Sequence, residues 1–217
     1  MKFALITEGV SEHRIIKHII LKYFKGKEVE VNQIQPQIIN NKQDNNGGWN
    51  EVLKYCESEK LLDIFIENDF LVIQIDTDES QNAAFNISHA KQDNSLKTAD
   101  ELTHEVIKKI TDSIAPELIA ANKIFLFAIC VHTIECWLLP IYYRNNHKTD
   151  IKSCLFSVNA EITKKNMNPI SPKDKNGYKA RKSYDNILKN WNSKKSITDS
   201  AKHNLGFKLF IDSLANL

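Results

Sequence analysis

The fold is decided by residues 2–20, which have the sequence KFALITEGVSEHRIIKHII. A short apolar run ends in Glu8-Gly9, a turn signal, and apolar residues then recur with the period of a helix. We predict a strand up to Thr7 and a helix that begins with Ser11 as its N-cap. One face of that helix carries Ile15, Ile16, Ile19, Ile20 and Tyr23.

Strands and helices alternate along the rest of the chain. Further strands are predicted at 29–34, 70–75 and 124–131. Helices are predicted at about 49–66, from Thr98 onward, and at 135–143, 183–191 and 206–214. The run at 124–131 is almost entirely apolar, which predicts burial on both of its faces. This order predicts an α/β fold with a largely parallel sheet and right-handed crossovers.

The composition is that of a globular chain. Of the 217 residues, 42% are hydrophobic and 26% are charged, which allows one sizeable core. No apolar run approaches the length of a membrane span, and the apolar N-terminus is too short for a signal peptide. We therefore expect a cytoplasmic protein with no membrane partner.

The cysteines are Cys56, Cys130, Cys136 and Cys154, and none forms a Cys-x-x-Cys pair. A zinc site would need paired ligands at short spacing. Free cysteine is usually buried, so we expect buried free thiols rather than metal ligands or a disulfide.

Three acidic residues follow two of the predicted strands. Glu8 lies after the first strand, and Asp76 and Asp78 lie after the strand at 70–75. Because open α/β sheets bind ligands beyond the carboxyl ends of their strands, we expect these carboxylates to meet at one edge. Carboxylates held close together repel each other and favour a cation such as Mg²⁺ or Mn²⁺. The alternative is that Glu8 is a loop residue or interacts with the helix dipole and that the aspartates only form a turn.

The two stretches of sequence that contain these acids resemble the motifs of Toprim domains. Such domains occur in topoisomerases, bacterial primases and nucleases of the overcoming-lysogenization-defect type. Residues 5–12 (LITEGVSE) resemble the first motif, and residues 72–78 (VIQIDTD) resemble the Asp-x-Asp motif. Residues 132–139 (HTIECWLL) and 204–210 (NLGFKLF) fit small stand-alone Toprim-like proteins, often linked to anti-phage defence. The resemblance implies a Toprim-like catalytic core at 1–143. A basic, mostly helical subregion at 144–217 would pack on the same domain.

The resemblance also implies roles for individual acids. In that family the first-motif Glu is a metal ligand or general acid–base group and the Asp-x-Asp pair holds Mg²⁺. Those positions correspond to Glu8, Asp76 and Asp78. Glu12 resembles a second acid of the nuclease members, and Glu135 resembles a later one on a helix. An alternative role for Glu135 is to stabilise the first turn of its helix.

Residues 164–195 hold ten basic and two acidic residues, whereas residues 1–163 hold 17 basic and 23 acidic ones. Basic residues interleaved with tyrosines suit a nucleic-acid backbone, and the candidates for this contact are Lys175, Lys179, Arg181 and Lys182. Lys179 is also the candidate that stabilises charge on the phosphate during catalysis. The alternative is a solvated, lysine-rich surface. His132, after the last predicted strand, is either a proton donor or a structural histidine.

These features predict Mg²⁺- or Mn²⁺-dependent cleavage of DNA or RNA. The context of a catalytic tyrosine and the zinc-ribbon cysteines are missing, which favours hydrolysis over strand joining or priming. Two alternatives remain open. One is a weakly active subunit that binds nucleic acid or a partner and acts with an ATPase protein. The other is a phosphohydrolase for a small phosphate ester.

Overall fold

The structure is a computed structural model that describes residues 1–39, 42–43, 47–121, 123–171 and 178–217. Within these residues the strands are β1 (Lys2–Ile6), β2 (Glu30–Gln35), β3 (Ile38–Ile39), β4 (Lys42–Gln43), β5 (Phe70–Asp76) and β6 (Ile124–Cys130). The helices are α1 (Val10–Tyr23), α2 (Trp49–Cys56), α3 (Lys60–Glu67), α4 (Ala99–Ser113), α5 (Pro116–Ala120), α6 (Glu135–Tyr142), α7 (Cys154–Lys164), α8 (Tyr178–Leu188), α9 (Lys194–Ala201) and α10 (Leu205–Ala215). A 3₁₀ helix covers Asn146–Thr149. Within the described ranges, no helix has the length and apolar character that crossing a membrane requires.

Four strands form one parallel sheet in the order β2-β1-β5-β6, and β3 and β4 pair separately as a short antiparallel ribbon. The predicted α/β class with a parallel sheet flanked by helices is therefore confirmed. The chain goes from β1 to β2 on one side and later to β5 on the other side. The strand order thus reverses between β1 and β5, and a reversal of this kind leaves a crevice at the carboxyl ends of the two strands.

Two apolar clusters cover the two faces of the sheet. Phe3 and Leu5 of β1 pack with α1 and the C-terminal helices, whereas Ala4 and Ile6 pack with α2 and α4. Successive side chains of a strand point to opposite faces, so the unbroken apolar run of β1 is what a strand covered on both sides requires. The edge strand β6 meets this requirement only in part, because Ile124 at its start is 43% exposed. The prediction of burial on both faces holds for its carboxyl half.

The N-cap of helix α1 lies two residues before the predicted one. Gly9 is the N-cap, with extended backbone and no side-chain cap, and Ser11 lies buried inside the first turn. The prediction of Ser11 as N-cap is therefore wrong. The helix can start directly after the turn because Gly9 has no side chain to place there. Its predicted apolar face is buried, from Ile15 to Tyr23.

The single helix predicted at 49–66 is also wrong, because the chain forms α2 and α3 with a turn between them. The hydroxyl of Ser58 donates a hydrogen bond to the carbonyl of Tyr55 at 2.8 Å. Such side-chain bonds compete with helical ones and favour a break. Helices α5, α7 and α9 lie in segments for which no helix was predicted.

The C-terminal helices share a core with the sheet. The indole of Trp137 on α6 stacks on the ring of Phe207 on α10, with centroids 4.5 Å apart and an angle of 5° between the planes. A Cβ at Gly206 would overlap the carbonyl oxygen of Ile129, so glycine is what lets α10 approach β6. The region after residue 143 therefore packs on the sheet as part of one hydrophobic core.

The expectation of free thiols is wrong for two of the four cysteines. Cys136 on α6 and Cys154 on α7 form a disulfide with an S–S distance of 2.18 Å. They are 18 residues apart, and they pair because α6 packs on α7. Packing of this kind has no signal in a short stretch of sequence. Cys56 and Cys130 are buried and free, as expected.

Candidate functional site

The carboxyl ends of β1 and β5 are joined through Glu8 and Asp76. The backbone amide of Asp76 donates a hydrogen bond to the Glu8 carboxylate, with 2.6 Å between N and Oε1. The two residues are 68 positions apart and meet because β1 and β5 are neighbours in the sheet. A carboxylate that accepts a hydrogen bond from a backbone amide is held in one position, as a binding site requires.

Gln74 is a second link between these strand ends, and the sequence did not single it out. Its side-chain oxygen accepts a hydrogen bond from the amide of Glu8 at 3.1 Å, and its Nε2 donates to Oδ1 of Asp76 at 2.8 Å. Gln74 is completely buried. A polar residue within the apolar run FLVIQID was the available signal, since buried polar groups are kept where they are hydrogen-bonded.

An open cleft of about 390 Å³ lies at this edge of the sheet. Four of its acids are site candidates, namely Glu8, Glu12, Asp76 and Asp78. Gly9, Glu79, Asn82 and the segment 47–50 complete the described lining, and none of these residues is basic. The amide of Gly48 donates to the carbonyl of Glu8 at 2.7 Å, which attaches the segment before α2 to the first strand end.

Gly9 accommodates the Glu12 side chain. A Cβ at position 9 would overlap the Glu12 carboxylate, and Glu12 is only 6% exposed. The Glu-Gly pair of the first motif therefore allows two acids to approach the cleft, one from the strand end and one from the first turn of α1. At that position a carboxylate also interacts favourably with the helix dipole.

Glu135 is not among the residues that line the described cleft. It is fully buried, and the hydroxyl of Tyr184 on α8 donates a hydrogen bond to its Oε1 at 2.6 Å. Burial, followed by the charges of Glu135 and Glu12, raises the pKa of Tyr184 well above its usual value, with a further contribution from Asp76. These carboxylates therefore surround one hydroxyl group that remains protonated. Sequence reasoning missed Tyr184, because its partner lies 49 residues away.

The backbone of His132 holds a turn at the end of β6. Its backbone is in the left-handed region, with φ 62°. Its carbonyl accepts hydrogen bonds from the amides of Thr77 and Asp78 at 2.9 and 3.1 Å, and its amide donates to the Thr77 hydroxyl at 2.8 Å. Burial and the neighbouring His89 lower the pKa of the His132 side chain. The Asp76-Thr77-Asp78 turn is thus attached to β6 as well as to β1.

The predicted basic contact residues are not in the described lining of the cleft. Lys175 lies outside the described residues, and so does the side chain of Lys179. Arg181 is half-buried and Lys182 is exposed on α8. Contact of these residues with nucleic acid therefore stays a prediction.

The donor set of the cleft has the chemistry that Mg²⁺ or Mn²⁺ requires, since its acids offer only oxygen ligands. Within the described residues, no three His, Cys, Asp or Glu side chains stand in the arrangement of a preformed metal site. Mg²⁺ commonly uses one or two carboxylates and keeps several waters. Glu8 and Asp76, with Asp78 beside them, suit that mode of binding.

The chain was also compared with known protein families, with curated proteins and with solved structures, and none of these comparisons found a match.

Proposed function

We propose that the chain hydrolyses phosphodiester bonds of DNA or RNA with the help of Mg²⁺ or Mn²⁺. The observation that carries this proposal is the 2.6 Å hydrogen bond from the Asp76 amide to the Glu8 carboxylate, which joins two acidic strand ends in one cleft. The cleft lies where the strand order reverses, which is where open α/β sheets bind ligands. The two stretches that resemble Toprim motifs both fall on it.

Each acid has a distinct part in this proposal. Glu8, Asp76 and Asp78 would hold the metal, which, when bound, supplies positive charge to the phosphate and lowers the pKa of a coordinated water. Glu12 is the candidate general base that accepts the proton of the attacking water. Glu135 would support this group through its buried contact with Tyr184. Lys179 remains the candidate cation for charge that develops on the phosphate.

The biological setting belongs to the same proposal. The resemblance to small stand-alone Toprim-like proteins suggests an effector in anti-phage defence. It could act alone or beside an ATPase partner. Co-purification of the tagged chain from its native cells, followed by identification of bound proteins, tests for that partner.

The test of the activity uses the purified full chain with plasmid DNA, single-stranded DNA and RNA. Cleavage is expected with Mg²⁺ or Mn²⁺ and should stop in EDTA. Asp76→Asn and Glu12→Gln keep the shape of each side chain and remove its charge. Each should slow cleavage by about 100-fold or more.

The matched control is Asp63→Asn, which removes an exposed carboxylate on α3 and should cleave like the wild type. Cleavage by Asp76→Asn at the wild-type rate, with Mg²⁺ present, would overturn the proposal. Binding of nucleic acid without turnover, under all metal conditions, would favour a binding subunit. Turnover of a small phosphate ester that excess DNA does not inhibit would favour a phosphohydrolase.

A further inference from the structure

A second cleft runs along α1, whose first turn it shares with the acidic cleft. It has a volume of about 380 Å³ and lies between α1, β2 and α8. Its polar lining comes from His13, Arg14, Lys17, His18, Gln33 and Asp185, and its apolar lining from Val10, Leu21 and Leu188. It is thus a groove with cationic, hydrogen-bonding and apolar parts, close to the acidic cleft but different from it in charge.

The wall of this groove contains buried polar atoms that lack a partner. Among the described residues, no hydrogen-bond partner exists for Nε2 of His13 or for Nε of Arg14. His13 is only 7% exposed. An unsatisfied buried polar group destabilises the fold, so such groups are retained where a ligand or water completes them.

The charge of the groove suits an anion. The guanidinium of Arg14 forms an ion pair with Asp185 at 2.6 Å, and Lys17 adds a second cation on the same side of α1. An Arg fork offers five N–H donors, so one carboxylate does not use all of them. Burial and then the charges of Lys17 and Arg14 lower the pKa of His13 to about 3. His13 is therefore a neutral hydrogen-bonding group flanked by two cations.

The position of the groove relates it to the acidic cleft. Glu12 lines the acidic cleft and the next residue of α1, His13, lines the groove, so the two clefts adjoin at the first turn of this helix. A strand bound with one phosphate at the acids would therefore have its neighbouring unit at the groove. Leu21, which is 39% exposed, offers apolar surface on which a sugar or base can pack.

We propose that the α1 groove binds a phosphate and its attached nucleoside from the nucleic-acid strand that enters the acidic cleft. This inference rests on the proposed function. Arg14 and Lys17 bind the phosphate, Nε2 of His13 forms a hydrogen bond with the bound unit, and Leu21 packs against it. The groove, rather than the lysine-rich segment alone, holds the strand in register with the acids.

The test measures binding without turnover. Fluorescence anisotropy of a labelled single-stranded DNA, and of RNA of the same sequence, is recorded in EDTA over a series of salt concentrations. Arg14→Gln and Lys17→Gln should each weaken binding about fivefold to tenfold and lower the slope of log K against log salt by about 0.7. His13→Phe should weaken binding while the thermal stability stays unchanged or rises, because a partnerless nitrogen is replaced by an apolar ring.

Lys108→Gln is the matched control, since Lys108 is an exposed lysine paired with Asp112 on α4 and its loss should leave binding unchanged. Wild-type affinity in the Arg14 and Lys17 variants overturns the inference. So does an equal loss in Lys108→Gln, or a wild-type protein that binds neither oligonucleotide. The cleavage assay is independent. If no metal supports cleavage but these variants lose binding, the proposed hydrolysis fails and the groove still binds the strand.

Discussion

Glu135 and Trp137 are two residues apart on α6, yet they belong to regions held together by different forces. Glu135 accepts a directed hydrogen bond from Tyr184, and Gln74 and the Asp76 amide make further directed bonds at the strand ends, so this region is a set of polar contacts. Trp137 faces an aromatic cluster with Phe207, Phe210 and, through Phe207, Trp191. The first region places oxygen atoms at defined points, whereas the second supplies non-directional burial.

The difference separates stability from chemistry. Apolar packing tolerates small shifts and contributes in proportion to the area buried. A buried polar network requires each partner to be present, since a lost partner leaves a desolvated group. Substitutions in the aromatic cluster should therefore lower stability with the chemistry intact, and substitutions in the network should impair binding or catalysis at a smaller cost in stability.

The largest effect is expected for Trp137→Ala. Removing a fully buried indole that stacks on Phe207 should lower the free energy of unfolding by about 3–5 kcal/mol. Urea denaturation measures this change. Nε1 of Trp137 has no hydrogen-bond partner among the described residues, so Trp137→Phe should lose less than about 1.5 kcal/mol. Equal losses in the two variants would contradict the role given to stacking.

A smaller effect is expected for Gln74→Met, which keeps the length of the side chain and removes its hydrogen bonds to Glu8 and Asp76. The loss should be about 1–3 kcal/mol, because the Glu8 amide and the Asp76 carboxylate each lose a partner. The rate of any metal-dependent cleavage should decrease by more than the loss of stability alone would cause. Asn82→Ala, a change in an exposed residue of the same cleft, is the control for stability. A Gln74→Met protein that cleaves normally would mean that the activity does not require the hydrogen bonds of Gln74 between the two strand ends.

The smallest effect is expected for His18 on α1. Its ring contacts the carbonyl of Trp191, a member of the aromatic cluster, at 2.8 Å. Burial, the main cause, together with Lys22 lowers the pKa of His18, although the Trp191 carbonyl and Asp185 oppose this. The unfolded chain therefore binds a proton more readily, and stability should fall as the pH decreases through about 6.5. Because His18 is partly exposed, the change should stay below about 1 kcal/mol. His18→Asn should make this part of the pH profile less steep by the share of His18 alone, because His13 and His132, whose pKa values are also lowered, contribute in the same range. Thermal melts between about pH 7 and pH 5 measure the difference.

Much of the fold could be predicted because its signals are local. The apolar period of α1, the Thr98 cap of α4 and the apolar runs of β1 and β5 lie within short windows. The errors also have local causes. Gly9 rather than Ser11 caps α1, and the Ser58 hydroxyl breaks the helix that the apolar pattern alone would continue.

The candidate site was predictable in part for the same reason. Glu8 and Asp76 each follow an apolar strand. The prediction that they meet therefore required only that these two parallel strands be neighbours in the sheet. Gln74 and Tyr184 were not found, because a polar residue inside a strand or a distant helix becomes informative only when its partner is known. The metal and the substrate remain predictions.

The sequence by itself determined the parallel α/β class, the placement of acids at two strand ends and the Glu-Gly turn before α1. These follow from periodicity and from steric limits on single residues. Only the tertiary structure decided that Tyr184 reaches Glu135, that Cys136 bonds Cys154, and that α1, β2 and α8 enclose a groove beside the acids. Each of these depends on how helices far apart in the chain pack together, and packing is set by the whole core rather than by any short stretch of residues.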